Sequence, residues 1–219
     1  MEDNDRRTNN RMVLLLIAGV PVTMILGATW LWYFVVLGDL DLVGTLGTAN
    51  RGTLVQPPRQ IDDALLAEPD GTRFVYADLE PRWSMLIPVA GDRCDASCEE
   101  TLYETRQIHT AMGKEYNRLR RLYVSESAPD DTVLAVPELS DKHPLPASFS
   151  SYLGDEHRGL KPLVLGPGQI DQLFTEYRAE PGTWYLVDPA GWIMMSYNQD
   201  VSYKDVIADL KFLLKNSGT

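Results

Sequence analysis

Residues 83–100, WSMLIPVAGDRCDASCEE, decide the fold, because they join an apolar run to the only two cysteines of the chain. The run 83–90 is predicted as a buried β-strand, and the residues after Cys94 as a helix over 97–118. Ser97 and Glu100 have the spacing of a capping box at the start of that helix. Two soft sulfur ligands at a strand-to-helix junction point to redox or copper chemistry.

The pattern on either side of this junction alternates between strands and helices. Strands are predicted over 72–77 (at a sheet edge), 120–125, 184–188 and 192–197, and helices over 169–178 and 203–215. In the last helix, Val206, Leu210, Phe212 and Leu213 are predicted to lie on or near the buried side. Residues 132–161 are less regular and are read as an insertion. This order predicts an α/β, thioredoxin-like fold: a mixed central sheet flanked by helices.

An uncharged run at residues 12–36 is long enough to cross a membrane as one helix. Three arginines precede it and two aspartates follow it, so the positive-inside rule predicts a cytoplasmic N-terminus at 1–11, an anchor at 12–37 and an extracytoplasmic remainder. A cleaved signal peptide is the alternative. It is disfavoured because the run is longer than a signal core and ends in Trp30, Trp32 and Tyr33 rather than a small-residue cleavage site.

The remainder is predicted to be a linker at 38–58, rich in Gly and Thr, followed by one domain at 59–219. The formal net charge of −11 argues against nucleic acid and anionic lipid as partners. Two cysteines are too few for a disulfide framework, so burial must supply the core and the pair is free for chemistry.

With these features the chain resembles the Sco/SenC family of membrane-anchored, thioredoxin-fold copper chaperones that serve cytochrome c oxidase. The resemblance is carried by the anchor, the C-D-A-S-C element at 94–98, the run YVSESAPDD at 123–131 and the hairpin YLVDPAG at 185–191. It implies Cu(I) held by Cys94 and Cys98, a respiratory oxidase subunit or its assembly proteins as partners, and the bacterial inner membrane with the C-terminal domain in the periplasm. Where the family has its third copper ligand, a histidine, this chain has Glu180.

The cysteine pair supports more than one chemistry. Two thiolates four residues apart can bind one soft ion or close as a Cys94–Cys98 disulfide, either structural or redox-active. Arg93 and the helix N-terminus favour a thiolate, whereas four carboxylates oppose it, those of Asp92, Asp95, Glu99 and Glu100.

Other candidate side chains are weaker. His109 is predicted in the core, and His143 and His157 as solvated loop histidines, with the alternative that one of them replaces the missing copper ligand. The run at Arg118, Arg120 and Arg121 is interpreted as a solvated helix end, with a docking patch as the alternative.

Three functions remain open. The first is a Sco-like assembly factor for a respiratory oxidase, acting by Cu(I) handling or thiol redox maintenance through Cys94 and Cys98. The second is a periplasmic thiol-disulfide oxidoreductase, and the third a non-catalytic docking scaffold. Whether the protein is an enzyme therefore stays undecided between these hypotheses.

Overall fold

The computed structural model describes residues 2–36 and 50–217, and the chain divides into two compact units, 1–49 and 50–219. In the first unit one helix, α1 (Glu2–Val36), includes Pro21. Its segment Leu15–Tyr33 has a mean hydropathy of 1.8, none of it buried, and is long and apolar enough to cross a membrane. Residues 37–49, most of the predicted linker, lie outside the described residues.

The second unit is built on a six-stranded sheet. The strands are β1 (Thr53–Gln60), β2 (Trp83–Val89), β3 (Arg93–Cys94), β4 (Leu119–Ser125), β5 (Val133–Leu134), β6 (Leu160–Val164), β7 (Trp184–Val187) and β8 (Trp192–Tyr197). The order in the sheet is β1-β8-β7-β2-β4-β6, while β3 and β5 form a separate parallel pair. Strands β2, β4 and β6 run parallel and the others pair antiparallel, so the sheet is mixed.

Within residues 50–217 this unit has five α-helices: α2 (Ala96–Ala111), α3 (Phe149–Glu156), α4 (Gln169–Leu173), α5 (Thr175–Ala179) and α6 (Tyr203–Asn216). Side chains alternate across β2, so Met85 and Ile87 join a core with α2 and α6, and Leu86 joins a second core on the opposite face. The second core includes Ile170 of α4 and the adjacent Phe174. The predicted thioredoxin-like α/β fold is confirmed.

The predicted linker boundary is wrong. Residues 53–60 are strand β1, which pairs antiparallel with β8 at the sheet edge, and the compact unit begins at Asn50. Strand β1 tolerates Pro57 and Pro58 because an edge strand needs to donate hydrogen bonds on one side only. The register between β1 and β8 shifts between Leu54 and Arg59, around these prolines.

Three element predictions also need correction. Residues 72–77 form no strand: Arg73 makes an isolated bridge, and a 3-10 turn follows at Tyr76–Asp78. The helix predicted to reach residue 118 ends at Ala111 and gives way to a 3-10 segment, Gly113–Arg118. Phe212 is 59% exposed, so it lies outside the buried side of α6.

Candidate functional site

The two cysteines lie on β3 and in the first turn of α2. They are joined by a disulfide with a Cα–Cα distance of 5.2 Å, and the described residues include no free cysteine. Cys94 is fully buried and Cys98 is 6% exposed. Both cysteines are therefore buried in the core of the domain.

Asp95, and not Ser97, begins the helix. Its carboxylate accepts a hydrogen bond from the Cys98 backbone N–H at 3.1 Å, so the predicted capping box at Ser97 and Glu100 is wrong. Aspartate is a strong N-cap because it satisfies an otherwise unpaired amide. The same bond engages the amide nearest to Cys98 and puts a negative charge beside it, which disfavours a Cys98 thiolate.

A small cavity of about 30 Å³ lies beside Cys98. Asp95, Thr101, Tyr177, Pro181 and Gly182 are among its lining residues. Thr101 donates a hydrogen bond to the Gly182 carbonyl at 3.2 Å, which holds the loop before β7 against α2. Burial raises the pKa of Tyr177, so its hydroxyl stays protonated at neutral pH. The cavity has room for about one water molecule.

Glu180 is outside this cavity, although Pro181 and Gly182 line it. Both Glu180 carboxylate oxygens accept hydrogen bonds from Asn198 Nδ2 at 2.9 Å. The carboxylate lines a separate surface pocket with Thr183 and Ser196. The loop that follows Glu180 therefore lies beside Cys98, but the Glu180 side chain is directed to Asn198.

Glu99 differs from the other three carboxylates around the cysteines. The sequence pattern groups it with Asp92, Asp95 and Glu100, but it is only 3% exposed. Its carboxylate accepts hydrogen bonds from the Ser140 N–H at 3.0 Å, the Ser140 hydroxyl at 2.5 Å and the Tyr152 hydroxyl at 3.1 Å. Burial and then this carboxylate raise the pKa of Tyr152, so Tyr152 remains the donor.

Glu99 thereby ties down what we term the cover segment, residues 132–156, which corresponds to most of the predicted insertion. The Val133 N–H donates to the Asp92 carbonyl and the Ala135 N–H to the Cys94 carbonyl, each at 2.8 Å. Leu134 and Leu139 pack in the same core cluster as the two cysteines. The cover segment thus packs against the stretch that carries Cys94 and contributes to the core around the disulfide.

A second attachment of the cover segment is ionic. Arg106 on α2 donates to Asp141 at 2.6 Å and to Glu156 at 2.9 Å, and both carboxylates also lie within 3.5 Å of His143 Nδ1. Asp141, His143 and Glu156 could together offer three ligand atoms to a cation. The guanidinium already balances much of their charge, so we read the group as an ion-pair network.

His157 is buried, so its predicted exposure in a loop is wrong. Arg121, itself 3% exposed, donates to His157 Nδ1 at 3.2 Å, and burial followed by Arg121 lowers the pKa of His157 to about 3. Burial lowers the pKa of Arg121 to about 10. Arg121 is therefore not part of a solvated helix end, and neither residue lines the Cys98 cavity. His109 is buried, as predicted, and stacks on Tyr116.

Comparisons with known proteins agree with this architecture. Yeast Sco1 with copper bound is 16% identical, with 78% of this chain and 97% of that chain covered at a TM-score of 0.51. Apo Sco1 from Thermus thermophilus is 19% identical, with 76% and 99% covered at a TM-score of 0.51. These likenesses confirm, at the level of the fold, the resemblance expected from the sequence.

No curated protein sequence matches the chain. A family model does match, over residues 83–217, and it covers both cysteines, the cover segment and the hairpin. Because the match extends over more than half of the chain, the protein belongs to the family described as transmembrane-like, thioredoxin-like, C-terminal domain.

Proposed function

We infer that this protein is a membrane-anchored, Sco-like thiol-disulfide protein that sets the redox state of cysteines in a partner during assembly of a respiratory oxidase. The observation that carries the proposal is the Cys94–Cys98 disulfide at the start of α2, where Cys98, unlike Cys94, lines a small cavity. The thiolate is the form that takes part in exchange, and at Cys98 the helix dipole favours it while the Asp95 carboxylate opposes it, so we expect a slow exchange rather than a fast one.

The proposed exchange moves two electrons. In the reduced domain the Cys98 thiolate attacks a disulfide in the partner, forming a mixed disulfide and releasing one partner sulfur as a thiolate. Cys94, deprotonated, then attacks Cys98 Sγ, and the second partner sulfur leaves. The domain ends as the disulfide seen here, the partner is reduced to a dithiol, and an external thiol reductant restores the domain.

Copper as cargo fits these residues poorly. Among the described residues that line the Cys98 cavity, none is a histidine or a methionine, and the Glu180 carboxylate is bound to Asn198. Carboxylate oxygen also suits Cu(I) less well than imidazole or sulfur. Among the described residues at this site, the two thiols are the soft ligands left for copper after reduction, so we derive no copper-dependent step.

The proposed location follows from α1 and the sequence around it. An anchor in the bacterial inner membrane, with arginines on the cytoplasmic side, would hold the second unit in the periplasm next to membrane-bound oxidase subunits. Disulfide exchange is chemically reasonable in that compartment because it is oxidising.

The test is a redox titration of the full chain in detergent, followed by alkylation. We expect two thiols after equilibration with excess dithiothreitol, none after oxidation, and a midpoint that does not depend on the direction of the titration. Cys94→Ser should leave Cys98 able to form a mixed disulfide that cannot be resolved.

Loading the reduced chain with Cu(I) tests the copper-chaperone hypothesis separately from the exchange function. A disulfide that stays closed in the native protein throughout the titration would overturn the exchange function in favour of a scaffold. Tight binding of one Cu(I) per chain, lost in Cys94→Ser, would restore the chaperone hypothesis.

A further inference from the structure

The outer face of α6 carries what we term the basic stripe: Lys204, Ala208, Lys211 and Lys215. These residues are spaced by four, three and four positions, which places them on one side of a helix, and all of them are exposed. The chain has six lysines, so half of them lie on this face of an otherwise acidic protein. Lys204 Nζ is 5.9 Å from the centre of the Tyr203 ring, a contact that leaves its charge in place.

The positive charge of the basic stripe is not cancelled by carboxylates of α6. Asp205 lies 3.7 Å from Arg51, and Asp209 is only 5% exposed and accepts hydrogen bonds from the Arg51 and Gly52 amides. Within residues 50–217, the lysines that form ion pairs are others: Lys114, Lys142 and Lys161. The net charge of −11, which argues against anionic lipid for the chain as a whole, therefore does not describe this face.

An exposed aromatic ring adjoins the basic stripe. Phe212 follows Lys211 directly, and its side chain is open to solvent. Helices that lie on a membrane surface combine lysines, which meet the lipid phosphates, with large apolar side chains that enter the headgroup region. The buried side of α6 packs into the core that it shares with α2, so one ring rather than a whole apolar face is available. A lipid contact here would be mainly electrostatic.

The chain that leads from α1 enters the second unit on this same helix. The amides of Arg51 and Gly52 are bound to Asp209, in the middle of α6. Residues 37–49 precede this point, and a stretch of that length spans at most about 45 Å. With α1 in a bilayer, the tether therefore keeps α6 near the lipid surface, and a weak contact gains from the high local concentration.

We propose that the outer face of α6 binds an anionic phospholipid surface, with the three lysines against the phosphates and the Phe212 ring among the headgroups. The inference rests on the membrane anchor of the proposed function and adds a second point at which the chain meets the bilayer. Attachment at both the tether and α6 fixes which side of the domain faces the lipid. The sheet then lies behind α6, away from the membrane.

The test is lysine acetylation of the full chain in nanodiscs, read by mass spectrometry at each lysine. Nanodiscs of mixed phosphatidylglycerol and phosphatidylcholine are compared with nanodiscs of phosphatidylcholine alone. We expect the three lysines of the basic stripe to react about three- to tenfold more slowly in the anionic nanodiscs, and high salt to remove this protection. The reference is Lys161, which lies over Phe74 in the core on the opposite face of the sheet and should react equally in both.

Lys204 serves as the reporter in the variants. In Lys211→Gln/Lys215→Gln, its protection should fall below about twofold, because two of the three charges are lost. The matched control, Lys142→Gln/Lys161→Gln, removes the same charge elsewhere and should leave the protection of Lys204 unchanged.

Two outcomes would overturn the lipid contact. Equal acetylation of the basic stripe in both kinds of nanodisc would leave this face to a protein partner, and equal loss of protection in both double variants would assign the effect to net charge. If the chain does not assemble into nanodiscs, the anchor fails and the contact fails with it. Protection of the basic stripe in a chain that shows no disulfide exchange would uphold the lipid contact and overturn the redox function alone.

Discussion

Glu99 shows how a single residue links the cysteines to the rest of the domain. It follows Cys98 directly, yet its carboxylate is buried among three hydrogen-bond donors from the cover segment. Burying a carboxylate is costly unless donors surround it, so its place in the core depends on Ser140 and Tyr152. The sequence could not reveal this, because the donors are more than 40 residues away and a Glu at the start of a helix is usually solvated.

Replacing Glu99 should open the cover segment. We expect Glu99→Gln to destabilise the domain by about 1–3 kcal/mol, because an amide cannot accept from all three donors. We also expect the Cys94–Cys98 disulfide to react faster with dithiothreitol, by about tenfold for each 1.4 kcal/mol of easier opening. Urea unfolding and the rate of thiol release measure the two effects. The exposed Glu138→Gln serves as the control, and an unchanged thiol release rate in Glu99→Gln would contradict the role of the cover segment.

The buried His157 predicts how the free energy of unfolding depends on pH. Its pKa in the folded state is about 3 and its ordinary value is 6.5, so the unfolded chain takes up the proton first. The free energy of unfolding should therefore be unaffected by His157 above pH 6.5 and fall as the pH drops from 6.5 towards 3, by up to about 1.4 kcal/mol per unit.

The control for this effect is His157→Gln, which keeps an acceptor for Arg121 but does not titrate. Urea unfolding at pH 7 and pH 4.5 should show a smaller loss of stability in the variant than in the parent. An equal loss in both proteins would assign the acid sensitivity to other groups.

The strands and helices whose own sequence pattern defines them were predicted correctly. Elements that form only through contacts with distant residues were missed. The apolar run of β2, the hairpin of β7 and β8, and the amphipathic α6 carry their own periodicity. Strand β1 does not, because Pro57 and Pro58 interrupt its pattern and only its pairing with β8 makes it a strand. The cysteine junction could be predicted because its strand, cysteines and helix are adjacent in sequence. The packing of the cover segment over it could not, because it depends on contacts between residues far apart in sequence.

The loop before β7 offers an element-scale test. Gly182 has φ +92°, and a Cβ there would lie 2.6 Å from Ser97 Oγ at the start of α2. We expect Gly182→Ala to destabilise the domain by more than Gly71→Ala, which has φ +84° but open space around its Cβ. Both variants should lose about 1–2 kcal/mol of stability because alanine is strained at positive φ. The additional loss in Gly182→Ala comes from the clash with Ser97.

Adding Ser97→Ala to Gly182→Ala should restore the stability lost to the clash, because the Ser97 hydroxyl is removed. It should not restore the stability lost to the positive φ of residue 182. Thermal unfolding of Gly182→Ala, Ser97→Ala, the double variant and Gly71→Ala measures this coupling. If Gly182→Ala and Gly71→Ala are equally destabilised, then the loop does not press on α2 as the geometry indicates.

For the whole molecule, the two compact units predict a separable anchor. Residues 50–219 include β1, whose approach to the sheet is fixed by hydrogen bonds from the Arg51 and Gly52 amides to Asp209 at 2.8 and 3.1 Å. We expect a chain starting at residue 50 to fold and stay soluble, and one starting at residue 59 to lose the edge strand and aggregate. The full chain should sediment with membranes.

Orientation has its own measurement. A reporter enzyme that is active only outside the cytoplasm, fused after Thr219, should be active in cells. Activity from a cytoplasmic reporter at the same position, with silence from the first, would contradict the periplasmic location.

Because β3 carries Cys94 and pairs with β5, amide hydrogen exchange in β5 should depend on the redox state of the disulfide. The amide protons of Val133 and Ala135 are held by the Asp92 and Cys94 carbonyls, on the same short stretch that carries one sulfur of the disulfide. Reduction frees that stretch, so deuterium should replace these two protons faster in the dithiol form than in the disulfide form, while amides in β4 stay protected. Hydrogen exchange at two positions would then follow electron transfer at a buried bond without any label on the sulfurs.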